Sequence, residues 1–333
     1  AASDVYKRQA SAIPVLHSMD TQEQEQLMRR TIQCRKRQGM ALAAGIGLGV
    51  AAVMWGTKRW QQMKQTPPVS PRSHHAGLAG YYQQIGDWRM FTRVTPEEPQ
   101  GLPVVLIHGL VMSGRSMESL ALALGRDYHV LVPDLPGFGG SALPASAPVL
   151  SVKALADILW QWLQHNGFQR AIWVGSAFGC QVLAALADKY PEAVAGLVLQ
   201  GPTADRHARS VVRQIWRGWR NSRMEAHRSP DSLARIDWAK AGLPRAFGTL
   251  RAMLNDPIEH HLTYLTAPTL LLRGSRDPVC PARWLDELAG LLPHSEKITL
   301  RGGTHRLHYV YPWSFCHAIR PFLARIQQES QHE

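Results

Sequence analysis

Six short apolar runs, each ending in Gly, Pro, Ser or Asp, set the strongest limit on what this chain folds into. They are "PVVLIHG" (103–109), "YHVLVPDLPG" (128–137), "RAIWVGS" (170–176), "VAGLVLQGP" (194–202), "PTLLLRGSRD" (268–277) and "SEKITLRGG" (295–303). Their centres are mostly continuous apolar stretches rather than alternating ones, the pattern of strands covered on both faces. Helix-length segments lie between and after them, at 115–125, 151–166, 178–190, 281–292 and 312–328. In the second of these, Ala154, Leu155, Ile158, Leu159 and Trp162 recur at helical spacing, with Asp157 and Gln161 off that face. Strand and helix in alternation predict an α/β domain on a doubly wound, mostly parallel sheet. "WRMFTRV" (88–94) reads as an earlier strand of it.

The rhythm breaks over residues 203–262, which hold many arginines, Trp216, Trp219 and Trp238, and no clear strand. "ARSVVRQIWRGWRNSR" puts Val212, Ile215 and Trp219 near one helical face and arginines on another. The segment is read as a helical cap inserted between two strands, leaving 81–202 and 263–328 as the core. The net charge of +12 is uneven. Residues 1–75 carry 11 basic and 4 acidic side chains, residues 203–262 carry 11 and 6, and the remainder balances. No nucleic-acid-binding motif accompanies this basicity, so nucleic acid is not expected as a partner.

The N-terminal part divides into a basic tail (1–38), an uncharged run (39–57) and a Pro/Ser/Gly-rich linker (58–80). Residues 1–9 resemble translated sequencing adapter and are set aside, with Met19 or Met40 as candidate starts. The uncharged run, "GMALAAGIGLGVAAVMWGT", follows Arg35, Lys36 and Arg37 and precedes Lys58 and Arg59. At 1.5 Å per residue its 19 residues would just cross a hydrocarbon core of about 30 Å. Trp55 and Trp60 sit at the end where indoles favour a membrane boundary. The expectation is a membrane anchor over 39–57, with an export signal as the alternative. The four cysteines, Cys34, Cys180, Cys280 and Cys316, form no CxxC pair and read as buried thiols, not a disulfide framework or zinc site.

In open α/β sheets the chemistry gathers at the carboxyl ends of the strands. There this chain offers His108–Leu110, "DLPGFGGS" (134–141), "VGSAFG" (174–179), Asp277 in "RGSRDPVCP" and His305 in "GGTH". Their order and spacing resemble the α/β-hydrolase superfamily, particularly the capped branch of meta-cleavage-product hydrolases and small esterases. The resemblance covers about residues 80–325.

It implies a nucleophile elbow, Gly-x-nucleophile-x-Gly, spanning Gly175 to Gly179. Its centre is Ala177, not the usual serine. One base separates a TCN serine codon from a GCN alanine codon. Asp277 is implied as the orienting acid and His305 as the general base, with His308 as a less favoured base. The backbone N–H groups of Leu110 and Phe178 would form the oxyanion hole. Ser176 is out of register, because an elbow centred on it needs glycine where Val174 and Phe178 stand. Cys180 reads as buried, and Asp205 as a helix cap. The family's chemistry needs no metal or organic cofactor.

The resulting expectation is a serine-hydrolase-type protein acting on an ester, or on a C–C bond next to a carbonyl, in a small apolar acyl or ketone-type substrate. Ala177 leaves it inactive or impaired. The alternatives are a natural pseudoenzyme that keeps the pocket, a site where His305 and Asp277 activate water directly, and a membrane-surface binding protein held by its basic cap. Oligomeric state is not legible in the chain.

Overall fold

A computed structural model describes residue 33 and residues 54–332 apart from 98 and 145. The chain divides into two units, 1–62 and 63–333. In the first, the described residues 54–62 are helical. The expected anchor at 39–57 is corrected here. Among the described residues no helix is long and apolar enough to cross a membrane, and residues 39–53 of the run lie outside them. The described helical stretch carries Lys58, Arg59, Gln61 and Gln62, side chains that a hydrocarbon core disfavours. The membrane-anchored localisation falls with that span.

The second unit is built on an eight-stranded sheet in the order β1-β2-β4-β3-β5-β6-β7-β8. The strands are β1 (Ala79–Ile85), β2 (Trp88–Val94), β3 (Val104–Ile107), β4 (Val130–Pro133), β5 (Ala171–Ser176), β6 (Val194–Gln200), β7 (Thr269–Gly274) and β8 (Ser295–Leu300). The first two form an antiparallel hairpin, β2 runs antiparallel to β4, and the other pairings are parallel. β1 is the strand that the sequence reading did not single out. Its exposed Tyr82 and Gln84 break the continuous apolar pattern of the central strands.

The helices are α1 (Pro71–His75), α2 (Glu118–Leu124), α3 (Val152–His165), α4 (Phe178–Lys189), α5 (Val211–Glu225), α6 (Asp231–Ala241), α7 (Leu243–Asn255), α8 (Ile258–Leu262), α9 (Ala282–Ala289), α10 (Leu307–Val310) and α11 (Pro312–His332). Alternation along the strands feeds two cores. Val105, Ile107, Ala171 and Trp173 join α3, α4 and α9 on one face. Val104, Leu106, Ile172 and Val174 join α2 and α11 on the other. Both faces are therefore apolar, which is why these strands read as unbroken runs. α5 to α8 enter between β6 and β7, across the span read as a cap.

Two of the motif segments are structural ties. Asp134 is fully buried and accepts from Arg93 Nη1 (2.7 Å), Gly114 N (2.6 Å) and Gly140 N (2.7 Å). Burial opposes its ionisation, yet the buried Arg93 beside it brings its carboxyl below the usual range. His108 Nε2 accepts from Leu135 N at 3.0 Å, so the "HG" and "DLPG" turns are stitched together. Burial lowers the affinity of that imidazole for a proton.

Candidate active site

The elbow is a sharp turn between β5 and α4. Ala177 has φ 52° and ψ −113°, a conformation strained for any residue with a Cβ. The flanking glycines make it sterically feasible. A Cβ on Gly179 would lie 2.6 Å from Ile107 O and 2.8 Å from His108 O. One on Gly175 would lie 2.9 Å from Leu183 Cδ1 and 3.0 Å from Cys180 N. A Cβ on Gly109 would stand 3.3 Å from the Ala177 Cβ, so the His108–Leu110 turn passes directly against the elbow.

Across the cavity, β7 delivers Asp277 and β8 delivers His305. His305 Nδ1 lies 2.8 Å from Asp277 Oδ2. The other oxygen, Oδ1, accepts from Val279 N (2.8 Å) and Cys280 N (2.9 Å). The carboxylate is thus fixed at both ends. The His305 backbone N–H donates to Asn221 Oδ1 of α5 at 2.9 Å. Asn221 in turn donates to Glu225 Oε1 at 2.7 Å, and Glu225 binds Arg306 at 3.0 Å.

Ala177 and His305 line one cavity of about 450 Å³, together with Leu110. The rest of its wall is largely apolar: Val111, Met112, Trp219, Trp238, Phe247 and Leu250 among others. Three of these last side chains come from α6 and α7, and Trp219 comes from α5. Among the described residues no hydrogen bond engages the N–H of Leu110 or Phe178. Both are available as donors beside the elbow, since Phe178 opens α4.

The remaining candidates fall elsewhere. Ser176 is 3% exposed, and its hydroxyl donates to Gln200 Oε1 at 2.8 Å. Its Oγ also lies 3.1 Å from His308 Nδ1. His308 Nδ1 is 3.0 Å from the same Gln200 Oε1. An amide oxygen can only accept, so Nδ1 carries the proton. Gln200 Nε2 closes the network by donating to His305 O at 2.6 Å. Burial, reinforced by His305, brings the His308 pKa down to about 3. It is a neutral neighbour of His305, with no carboxylate partner among the described residues. Cys180 is fully buried against the Gly175 and Gln200 carbonyls, and burial raises its thiol pKa well above normal. Asp205 caps the turn at 206–208 through His207 N and pairs with Arg217 at 2.9 Å. Among the described residues no group of three or more His, Cys, Asp or Glu side chains is placed to hold a metal.

One feature escaped the sequence. Asp237 of α6 is buried and accepts from Ser113 Oγ at 2.9 and 3.0 Å. Ser113 closes the turn that follows Leu110. Burial, with Asp134 nearby, raises the Asp237 pKa to about 7. Nothing in the "RIDWAK" stretch distinguishes this Asp from an exposed one, because its burial depends on tertiary packing.

Residues 103–242 match the family model described as alpha/beta hydrolase fold, and residues 252–328 match the model of TAP-like proteins. The chain is 30% identical to "Putative carbamate hydrolase RutD" of Pseudomonas syringae pv. syringae, covering 66% of this chain and 93% of that protein. It is 27% identical to the pimeloyl-acyl-carrier-protein methyl ester esterase of Vibrio vulnificus, covering 68% and 96%. A solved structure from Acinetobacter baumannii AYE, described as a "putative lipase", superposes with a TM-score of 0.66 at 20% identity, covering 81% and 97%.

Proposed function

The chain belongs to the α/β-hydrolase superfamily, and we propose that it descends from serine hydrolases acting on a small apolar acyl ester or on a C–C bond next to a carbonyl. In this reading Ala177 occupies the nucleophile position. Asp277 orients His305, and His305 is the general base. The N–H groups of Leu110 and Phe178 receive the negative charge that develops on the carbonyl oxygen. The helical insertion acts as the cap, and its apolar side chains hold the substrate. The observation that carries the reading is that His305, held by Asp277 at 2.8 Å, faces the same apolar cavity as the strained Ala177. The family resemblance of the curated relatives, which include an ester hydrolase, supports the ester reading over the C–C one.

A serine at position 177 would lose its proton to His305 as its Oγ attacks the carbonyl carbon. The imidazolium would then protonate the leaving group, and water activated by His305 would release the acyl group. With alanine, no acyl-enzyme forms. The chain as it stands binds substrate and retains at most a slow, direct attack by water activated at His305. Ala177 itself therefore favours a second reading, a binding protein that keeps the pocket. Ala177→Ser assayed on p-nitrophenyl acyl esters separates the two. Activity rising by about 10³-fold or more supports the hydrolase lineage. No gain in a folded variant leaves only the binding reading. A fluorophosphonate probe should label the serine variant and not the parent. Labelling of the parent at Ser176 or Cys180 would overturn this assignment of the elbow.

A further inference from the structure

A second concavity lies on the other side of α5, behind Asp277. α5 turns Ile215, Gly218, Trp219 and Ser222 to the apolar cavity, and Trp216, Arg217, Arg220 and Met224 to a groove of about 580 Å³. Arg273, Arg276 and Arg283 line the groove from the β7 end and from α9. Five guanidinium groups thus meet in one place.

The charge balance there is incomplete. Asp205 lies 2.9 Å from Arg217 and 3.5 Å from Arg283. Asp277 is committed to His305 and to two backbone N–H groups. Arg220 lies over the ring of Trp216, with no carboxylate partner among the described residues. Arg276 likewise has none among them.

Arg273 is the most telling. It is 6% exposed, and its Nε donates to Cys280 O at 2.8 Å. Its Nη2 reaches Asp277 O at 3.4 Å. Among the described residues no carboxylate lies within ion-pair distance of it, and no acceptor meets its Nη1. Its Nε side is held by carbonyls, while its Nη1 end opens to the groove with no protein acceptor among the described residues, where an anion can meet it. The Nη1 donors are free for one.

We propose that this groove is a binding site for the phosphoryl group of an anionic ligand, with Arg273 at its floor and Arg220 and Arg276 at its rim. Planar guanidinium forks match the oxygens of a phosphoryl group in pairs. The groove has room for more than one phosphoryl group, or for a phosphate ester whose organic part lies against Trp216. Asp277 also lines the groove, so the two sites share that residue as a wall, but binding here does not depend on the chemistry proposed at position 177.

The test is calorimetric titration of the full chain at constant ionic strength with pyrophosphate, inorganic phosphate and glycerol 3-phosphate. Saturable binding of at least one of them is expected. Arg220→Gln combined with Arg276→Gln should weaken it by about tenfold or more. Arg89→Gln, an exposed residue near the start of β2, should leave it unchanged. Glycerol 3-phosphate binding tighter than inorganic phosphate assigns the site to a phosphate ester, and the reverse order to free phosphate or polyphosphate. Arg273→Met should abolish binding where it folds. The rim variant keeps the test valid where it does not. No saturable binding, or binding equal in the parent and the rim variant, overturns the proposal. In that case Arg273 is only a clamp on the Asp277–Cys280 turn.

Discussion

The two walls of the apolar cavity are built to different states of completion. On the β7–β8 wall the groups that hold His305 are engaged: Asp277 by His305 and two N–H groups, the His305 backbone by Asn221, and Asn221 by Glu225. On the elbow wall the backbone is equally demanding. It has a strained φ at Ala177, two glycines that admit no side chain and two undonated N–H groups, yet it presents only a methyl. The difference teaches that the elbow's geometry comes from β5, α4 and the glycines, not from any bond made by its central side chain.

The largest expected effect tests whether the complete wall still works once the other is repaired. In an Ala177→Ser background, Asp277→Asn should cost about 10³–10⁴-fold in kcat, because the imidazole would lose both its tautomer control and its counter-charge. Steady-state ester hydrolysis measures it. A loss of under tenfold would mean that the 2.8 Å pair does not act as the reading requires.

The insertion touches both walls, and its two contacts should respond to pH differently. Asn221 meets His305 through a neutral amide, which no proton titrates. Asp237 meets Ser113 through a carboxylate whose pKa burial raises to about 7. A raised carboxyl pKa means that the folded state holds a proton the unfolded state has released. The stability this group contributes is full below about pH 4 and is lost as pH rises to about 7. Asp237→Asn should therefore match the parent near pH 4 and exceed it at pH 8. The gap, read by urea unfolding, should be on the order of 2–4 kcal/mol. A gap that does not vary with pH would remove the titrating contact from the account.

Gly179→Ala tests how tightly the elbow wall is packed. Its new Cβ meets two backbone carbonyls rather than a yielding side chain. A loss of about 2–3 kcal/mol is expected, seen as a Tm lowered by several degrees. An unchanged Tm would mean that the glycine is not sterically required.

Much of this was legible in the chain because its signals are local. Runs such as "RAIWVGS" name buried parallel strands, and Gly175 and Gly179 around Ala177 name the turn. Asp277 and His305 could be paired in advance only through family resemblance, since 28 residues separate them and nothing in composition joins them. What escaped depends on contacts across the fold. Asp237 is an ordinary helix residue until α6 packs over Ser113. β1, with the sequence AGYYQQI, carries paired tyrosines and glutamines and no apolar run, so nothing local marks it as a strand. Arg273 sits at the end of an apolar strand, where only the fold brings α5 and α9 around it. The expected span at 39–57 failed for a different reason. Its signal is an uncharged run between basic residues, and five glycines in it dilute the apolar content that a spanning helix needs.

The smallest effect is the sharpest probe of the elbow itself. If β5, α4 and the glycines impose φ 52° on position 177, then alanine bears strain there on the order of 1–3 kcal/mol. Glycine would bear none, at a cost of about 0.5–1 kcal/mol from the freer unfolded chain. Ala177→Gly should therefore stabilise the protein by about 1 kcal/mol, although it removes a methyl from the cavity wall. Chemical denaturation with an unchanged m-value would register the gain. A loss of similar size would mean that the methyl's packing outweighs the strain. The elbow would then be held partly by its central side chain, and the contrast between the two walls would narrow.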